Sequence, residues 1–590
     1  MGKTKVSTKP KARPADPTQV VVTYDLFDLP TAFHKAGLAG LVLLLESLKA
    51  RRVLKDGDVK CELHSTSATI SFTEPLVQKL MDDVYDARVV EVSVRSKWQG
   101  AELKREEPVE EEQDGKTVKI KRFIYDVVQP RGQFLRDHYP DEDGLWLKLW
   151  RDMLWNISRA RPTTREPFNQ RAHGKPCKEG QNAWIDLVKV HKARAMNGFH
   201  TAELSSALYP GAQAVNAEGV PFEGRAEQNL LLHFWPLTVL LFVPQRVEAD
   251  GATDFAGFTL AVPEVADLSD FIHDYRRLLN GLRKDARGYR PAQAVIDVPA
   301  EGALAFLDQL AQLTGQTVEK GELRHSIRSV EWLHLVKEGN NVKAMGSGRI
   351  SPIPKLLSDY RSIVAPKDDS TRFRNPIFRR GLLVALLNDE LDKDHWHRAF
   401  GKALATFDAQ LFIRQSRPSD TPDDKGPPQF ANDAAKKFRH ETDLFTQTRE
   451  RFKTMPEAER TKVQAPLPVI INRVVRNYLI AKTEAKPGLS LKKFRDGNEG
   501  VKWGDIPKDL LDDFNKAKQK LAQSLFLEFR SRKEQAFVDH FAATFFSVTQ
   551  RLPEADRLDL ANVLTKDVLT KEDRRDDLKT LTLLALSANS

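Results

Sequence analysis

The chain has 590 residues, too many for one hydrophobic core and enough for about three or four domains. Its residues are 41% hydrophobic and 29% charged, the composition of a soluble folded protein, which excludes a disordered or fibrous chain. Lys and Arg number 91 against 82 Asp and Glu, a net +9 that permits nucleic-acid binding without establishing it. With only Cys61 and Cys177, a disulfide framework or thiolate zinc site is excluded and a reducing cytoplasm is expected.

Residues 1–19 hold Lys3, Lys5, Lys9, Lys11 and Arg13 with no apolar centre, and read as a disordered basic tail rather than a secretory signal. The β-favouring run VVVTYDL then meets Pro30, and Thr31 takes the N-cap position of a helix. Leu38, Leu41, Leu45 and Leu48 recur at helical spacing, with Gly37 and Gly40 beside them. Each glycine costs a helix about 1 kcal/mol relative to alanine, so the pair points to close packing. The apolar run Ala36–Leu45 is shorter than the roughly 20 residues of a membrane span.

CELHS (61–65) and ATISF (68–72) alternate as short strands. EPLVQKLMDDVYD (74–86) has helical spacing, and VVEVSVRSKW (89–98) reads as a strand. The order β-α-β-β-α-β is the ferredoxin-like order that RNA-recognition domains use. Tyr24 and Phe72 are the strand aromatics that could stack bases, with core packing as the alternative. The acidic stretch 101–116 reads as an exposed hairpin tip before the strand TVKIKRFIYDVV (117–128). Residues 144–157 form an amphipathic helix with Trp146, Trp150 and Leu154 on one face and Trp155 nearby.

The next stretch, Ser158–Gln181, has no periodicity, and Pro162, Pro167, Gly174, Pro176 and Gly180 speak against a helix. It carries Arg159, Arg161, Arg165, Arg171, Lys175 and Lys178 around Asn169 and Gln170, which suits phosphate contacts and base-edge contacts. A solvated insertion fits it equally well. Residues 220–244 contain a long apolar strand and 255–263 a second, together a central sheet. The helix 270–291 has a basic side of Arg276, Arg277, Arg283, Lys284, Arg287 and Arg290. Two more strands flank the glycines of 330–350. Arg372, Arg374, Arg379 and Arg380 alternate with Phe373 and Phe378, a mixture that suits single-stranded nucleic acid or a protein interface. Residues 414–432 read as a linker by composition, and everything after as a helical bundle.

The resulting expectation is a multidomain α+β fold. It has a tail (1–19), a ferredoxin-like, RNA-recognition-like N-terminal region (20–157), a basic loop (158–181), a mixed-sheet middle (182–413), a linker (414–432) and a C-terminal all-α bundle (433–590). Catalytic signatures are missing. There is no GxxxxGKS or GxxxxGKT phosphate loop and no HExxH, and the GSG at 346–348 lacks a strand-to-helix setting. His273-Asp274 has no companion ligands nearby in sequence, and His395 and His397 are spaced so that a helix would not put them on one face. Asp137-His138 and Asp141–Asp143 read as a solvated acidic turn.

Three stretches resemble a known family when taken together: YDLFDLPTAFHKAGLAGLVLLLES (24–47), AEGVPFEGRAEQNLLLHFWPL (217–237) and RNPIFRRGLL (374–383). They resemble the large subunit of a type I CRISPR Cascade effector complex, in the variant described from myxobacteria. The resemblance implies a non-enzymatic subunit of a ribonucleoprotein built on CRISPR RNA. Such a subunit inspects double-stranded target DNA for a short protospacer-adjacent motif, helps open the strands and precedes a separate helicase–nuclease. Its partners would be the backbone and RNA-end-binding subunits and small subunits, with no membrane and no cofactor. A small-subunit product could start internally at Met455.

No short motif of that family fixes the reading residues, so they are assigned physically. Arg159, Arg161, Arg165, Arg171, Lys175 and Lys178 are expected on phosphates, with Asn169 and Gln170 on base edges. The 276–290 and 372–380 clusters are second-choice nucleic-acid sites. Two other readings stay open: a metal-dependent nuclease using His273 and Asp274, and an RNA-binding scaffold with no DNA role.

Overall fold

The computed structural model describes residues 17–55, 57–113, 116–138, 145–154, 162–204, 208–210, 215–285, 294–314, 323–338, 341–364, 373–392, 394–413, 429–451, 465–497, 506–550, 552, 554–568 and 572–590. The fold is mixed, with strands concentrated toward the N-terminus and helices toward the C-terminus. Two compact units result. The first is Met1–Pro244 with Gly257–Pro354, and the second is Gln245–Ala256 with Lys355–Ser590.

The first unit opens with β1 (Val20–Asp25), α1 (Ala32–Ala50), β2 (Cys61–Leu63), β3 (Ser67–Phe72), α2 (Glu74–Val84) and β4 (Ala87–Val94), in the expected order. In β1 the residues Val20, Val22 and Tyr24 turn inward and Val21 and Thr23 outward, the alternation of a half-buried strand. The antiparallel sheet β1-β3-β2 has Val22 opposite Ile70 and Ile70 opposite Cys61. Tyr24 and Phe72 are core residues, 2% and 0% exposed, so neither is a stacking platform.

β4 does not complete that sheet. It pairs with β6 (Lys116–Pro130), which pairs in turn with β5 (Arg105–Gln113). Much of the acidic stretch is therefore strand rather than hairpin tip. The reason is cross-strand charge: Arg105 meets Glu91 at 2.7 Å, Lys104 meets Asp126 at 2.8 Å, and Glu106 takes Lys97 at 2.7 Å and Lys121 at 3.2 Å.

After α3 (Gln133–Arg136) and α4 (Leu145–Asp152) come α5 (Pro162–Ala172) and α6 (Lys178–Ala195). Trp150 and Leu154 are buried, and the Trp150 indole donates to the Pro236 carbonyl at 2.8 Å, so that part of the aromatic stripe is core; Trp155 lies outside the described residues. A small arm of β7 (Thr201–Glu203) and β8 (Glu223–Arg225) precedes α7 (Ala226–Asn229). The following run Leu230–Leu237, expected within a strand, is two 3-10 turns, Leu230–His233 and Trp235–Leu237. Every residue there is buried, so no polar–apolar period distinguished helix from strand, and Pro236 lacks the donor a central strand requires.

The central sheet is as expected. The first half of β9 (Leu240–Val247) pairs with β11 (Phe258–Val265) after the short β10 (Thr253–Phe255). β12 (Val295–Ile296) adds to β9 in parallel, and β13 (Ile327–Glu338) joins β11 to β14 (Asn341–Ile350). Glu264, on one face of β11, binds Lys35 of α1 at 3.1 Å. Thr259, on the opposite face, abuts Gly302 of α9 (Glu301–Thr314), which follows α8 (Leu268–Asp285). The sheet is thus covered by helices on both faces.

In the second unit the hairpin of Gln245–Ala256 is tied down by the Asp408 amide on the Ala249 carbonyl, 2.8 Å. With α10 (Leu323–Ser326) closing the helices of the first unit, the second contains α11 (Pro354–Val364), α12 (Pro376–Leu387), a 3-10 turn Trp396–Phe400, α13 (Gly401–Thr406) and α14 (Phe430–Arg451). Then follow α15 (Leu467–Glu484), α16 (Leu491–Gly497), α17 (Lys508–Ser531), α18 (Glu534–Thr549), α19 (Glu554–Asn562) and α20 (Glu572–Ala588). α20 is its spine: Leu578, Leu581, Leu583, Leu584 and Leu586 are buried, and α14, α15 and α17 pack on it. Residues 355–413, assigned from sequence to the middle region, belong here because their aromatics interlock with the bundle. Phe412 and Phe430 meet at 4.9 Å on either side of the expected linker, of which 414–428 lie outside the described residues. Among the described residues no helix is long and apolar enough to cross a membrane.

Candidate nucleic-acid interface

The described part of the stretch, 162–181, is largely helical rather than a loop. Residues 162–172 are helical in α5, with Pro167 accommodated inside it, and helix α6 starts at Lys178. Pro162 opens α5, where its missing N–H costs nothing, and Gly174 takes φ +74° in the connector. Phe168 is fully buried and stacks edge-on against Tyr85 at 5.0 Å, which seats α5 on the core. Arg159 and Arg161 lie outside the described residues.

The remaining candidates separate into two kinds. Gln170 is 8% exposed, and its amide is engaged inside the molecule. Its Nε2 donates to Glu166 at 3.3 Å, and its Oε1 accepts the Lys178 amide at 2.9 Å, satisfying a donor at the start of α6. Arg171 donates to the Asp82 carbonyl at 3.2 Å and the Lys175 carbonyl at 3.1 Å, fastening the connector to α2. These two side chains hold the element together. Burial also pushes the Arg165 guanidinium below its ordinary value. By contrast His173, Lys175 and Lys178 are exposed, and Asn169 is half-buried with its carbonyl accepting from His173 at 2.7 Å. Cys177 between them is buried, which pushes its thiol up to about 12, so it is no thiolate at neutral pH.

The second-choice clusters divide similarly. Arg276 and Arg277 are exposed on α8, and Arg276 pairs with Glu46 at 2.6 Å. The Arg283 and Lys284 side chains, and all of Arg287, Arg290 and Arg372, lie outside the described residues. Arg379 is 5% exposed and donates to the Arg374 carbonyl at 2.6 Å and the Phe373 carbonyl at 3.3 Å, so it braces the start of α12. Asp433 accepts the amides of Arg374 and Asn375 at 2.7 and 2.6 Å, and Asn375 caps α12 at the Phe378 amide. Arg374 and Arg380 are exposed.

Among the described residues no three His, Cys, Asp or Glu side chains come together as metal ligands would. His273 is exposed while Asp274 beside it is buried. His395 bonds Asp392 at 3.1 Å, and His397 is buried on Asp577 at 3.0 Å. Gly348 lies in mid-strand under the Trp332 indole, where a Cβ would come within 2.7 Å of Nε1, so the GSG serves packing. Asp137 sits 3.3 Å from Arg51, and Asp141–Asp143 lie outside the described residues. Sequence reasoning missed Arg246 and Lys402, which converge with Arg380 on one cavity of the second unit. Positions so far apart leave no signal in the linear chain.

Two of the family-bearing stretches pack directly on one another. Gly37 and Gly40 of α1 abut the Leu231 and Phe234 carbonyls, and the Thr238 hydroxyl donates to the Ala36 carbonyl at 2.8 Å. Residues 59–320 match the family described as the Type I-B CRISPR Cas8b N-terminal domain, and residues 327–589 match the Type I-B CRISPR Cas8b C-terminal domain. The two matches define the class of protein, the large subunit of a CRISPR Cascade complex. The chain belongs to the Cas8b family of type I-B systems. No curated protein sequence matches it.

Proposed function

We propose that this large subunit binds duplex DNA at a short protospacer-adjacent motif within an RNA-guided complex, aids strand opening and precedes a separate helicase–nuclease. The observation that supports this most is the α5–α6 connector, where exposed His173, Lys175 and Lys178 are held on a rigid base by buried Gln170 and by Arg171. A fixed cationic turn can position phosphates, while Asn169 beside it supplies an amide for a base edge. Guide pairing supplies the long sequence specificity in such complexes, which leaves the protein a short motif to inspect. In this reading the chain does no cutting. It works in the cytoplasm with CRISPR RNA, the backbone and RNA-end-binding subunits and small subunits. A product starting at Met455, which lies outside the described residues, would carry α15–α20 without α14.

The test is duplex binding by the assembled guide-RNA particle. Lys175→Ala with Lys178→Ala should weaken all duplexes alike and lower the salt slope by about two. Asn169→Ala should relax preference among motifs by about 1–3 kcal/mol. Wild-type affinity and motif preference in both variants would place the reading elsewhere. Mass spectrometry of the same particle checks the internal start, since an assembled particle with no C-terminal fragment excludes it.

A further inference from the structure

The second unit contains a cavity of about 250 Å³ walled by α12, the 3-10 turn Trp396–Phe400, α13 and the end of β9. Val384, Phe400 and Phe407 give it an apolar floor. Gly381 makes this floor possible, because a Cβ there would come within 2.6 Å of the Phe400 ring. Arg246, Arg380 and Lys402 also line the cavity, and all three are exposed. Among the described residues that line it there is no carboxylate. Glu248 pairs with Arg246 at 2.6 Å from outside the lining, with both side chains largely in solvent. Such pairs contribute little, so an incoming anion can compete for Arg246.

We propose that this cavity takes one base of a single-stranded nucleic acid, with the flanking phosphates on Arg246, Arg380 and Lys402. Three features favour that occupant. Sites for extended small molecules run to about 300–1,000 Å³, so this cavity suits a single planar ring system. Its cations come from three separate elements around one apolar slot, which matches a base between consecutive phosphates. Its walls are mostly helical, and their backbone groups bond within their own helices, so an extended peptide finds little backbone to pair with. Lys402 also lines the neighbouring cavity with Arg398, Arg530 and Lys579, but Asp573, Asp576 and Asp577 line that one too, so its lining is of mixed sign. The proposal concerns the second unit and stands whether or not the α5–α6 connector reads duplex DNA.

The experiment measures fluorescence anisotropy of the full chain with labelled oligothymidine and with an abasic oligomer of the same length. Oligothymidine should bind at least about fivefold more tightly than the abasic oligomer, as base stacking on aromatics requires. Arg380→Ala with Lys402→Ala should weaken both oligomers about tenfold and flatten the salt dependence. Ala403→Leu, which fills the cavity, should bring oligothymidine down to the abasic level while leaving the abasic oligomer unchanged. Equal binding of the two oligomers by the wild-type chain overturns the base site, as does wild-type oligothymidine affinity in a folded Ala403→Leu variant. A halogenated-uracil oligomer, photo-crosslinked to the unmutated chain, gives an answer that needs no variant. A crosslink at Phe400 or Phe407 supports the site, and crosslinks confined to other regions overturn it. An acidic peptide that binds the unmutated chain more tightly than oligothymidine, and loses that binding in Ala403→Leu, would assign the cavity to a protein partner instead.

Discussion

Gly37 lies so close to Leu231 that a Cβ built on it would come within 2.8 Å of the Leu231 carbonyl carbon and nearer still to the oxygen. Gly40 stands in the same relation to Phe234. The obstacle is backbone, which cannot rotate away as a side-chain tip can. Gly37→Ala should therefore destabilise the chain by about 1–3 kcal/mol through overpacking, outweighing the roughly 1 kcal/mol of helix propensity it gains. Chemical denaturation of the purified chain checks this, and a variant at least as stable as wild type would contradict the packing argument.

Acid should weaken the first unit through His34. This histidine is 3% exposed, shares a 2.8 Å hydrogen bond with Thr31 Oγ1, and is lowered by burial from the usual 6.5 to about 4. Between those values the unfolded chain binds a proton that the folded chain refuses. Its contribution is thus complete above about pH 6.5 and is lost as pH falls toward 4. A shift of that size corresponds to about 3 kcal/mol. Unfolding curves at neutral and mildly acidic pH should show a steeper loss in wild type than in His34→Gln; equal slopes would refute the assignment.

Neighbouring arginines on α12 should behave oppositely. Arg379→Ala removes donors from the Phe373 and Arg374 carbonyls in a buried setting and should cost about 1.5–3 kcal/mol of stability. Arg380 is exposed, so Arg380→Ala should stay within about 0.5 kcal/mol of wild type. Thermal melts of the two variants side by side give the comparison, and equal effects would count against the division.

The same contrast separates Gln170 from Lys175. Gln170→Ala leaves the Lys178 amide without its acceptor, so it should lower stability by about 0.5–2 kcal/mol, like the loss of a helix cap. Lys175→Ala should leave stability unchanged and weaken duplex binding at low salt. A Gln170→Ala variant with wild-type stability would show that the amide has another acceptor.

The legible part of the fold was local. Alternation in β1 and four leucines at helical spacing in α1 are consequences of which side of each element meets water, and they survive in the linear order. The two glycines announced close packing because a helix tolerates their cost only where something approaches. The apolar run Leu230–Leu237 before β9 misled for a physical reason. Full burial removes the polar–apolar contrast on which periodicity depends.

The sequence by itself determined the first six elements and their order, the helical character of the C-terminal region and, through three stretches, the family. Only the tertiary structure decided what each charge does. Arg379 and Arg380 are adjacent and chemically identical, yet one is buried against carbonyls and the other faces solvent. β4 left the first sheet because partners for its charged face lie on β5 and β6. Arg246, Arg380 and Lys402 meet at one cavity although no local pattern joins them. Local propensity depends on near neighbours in the chain, whereas burial and convergence depend on packing between distant segments.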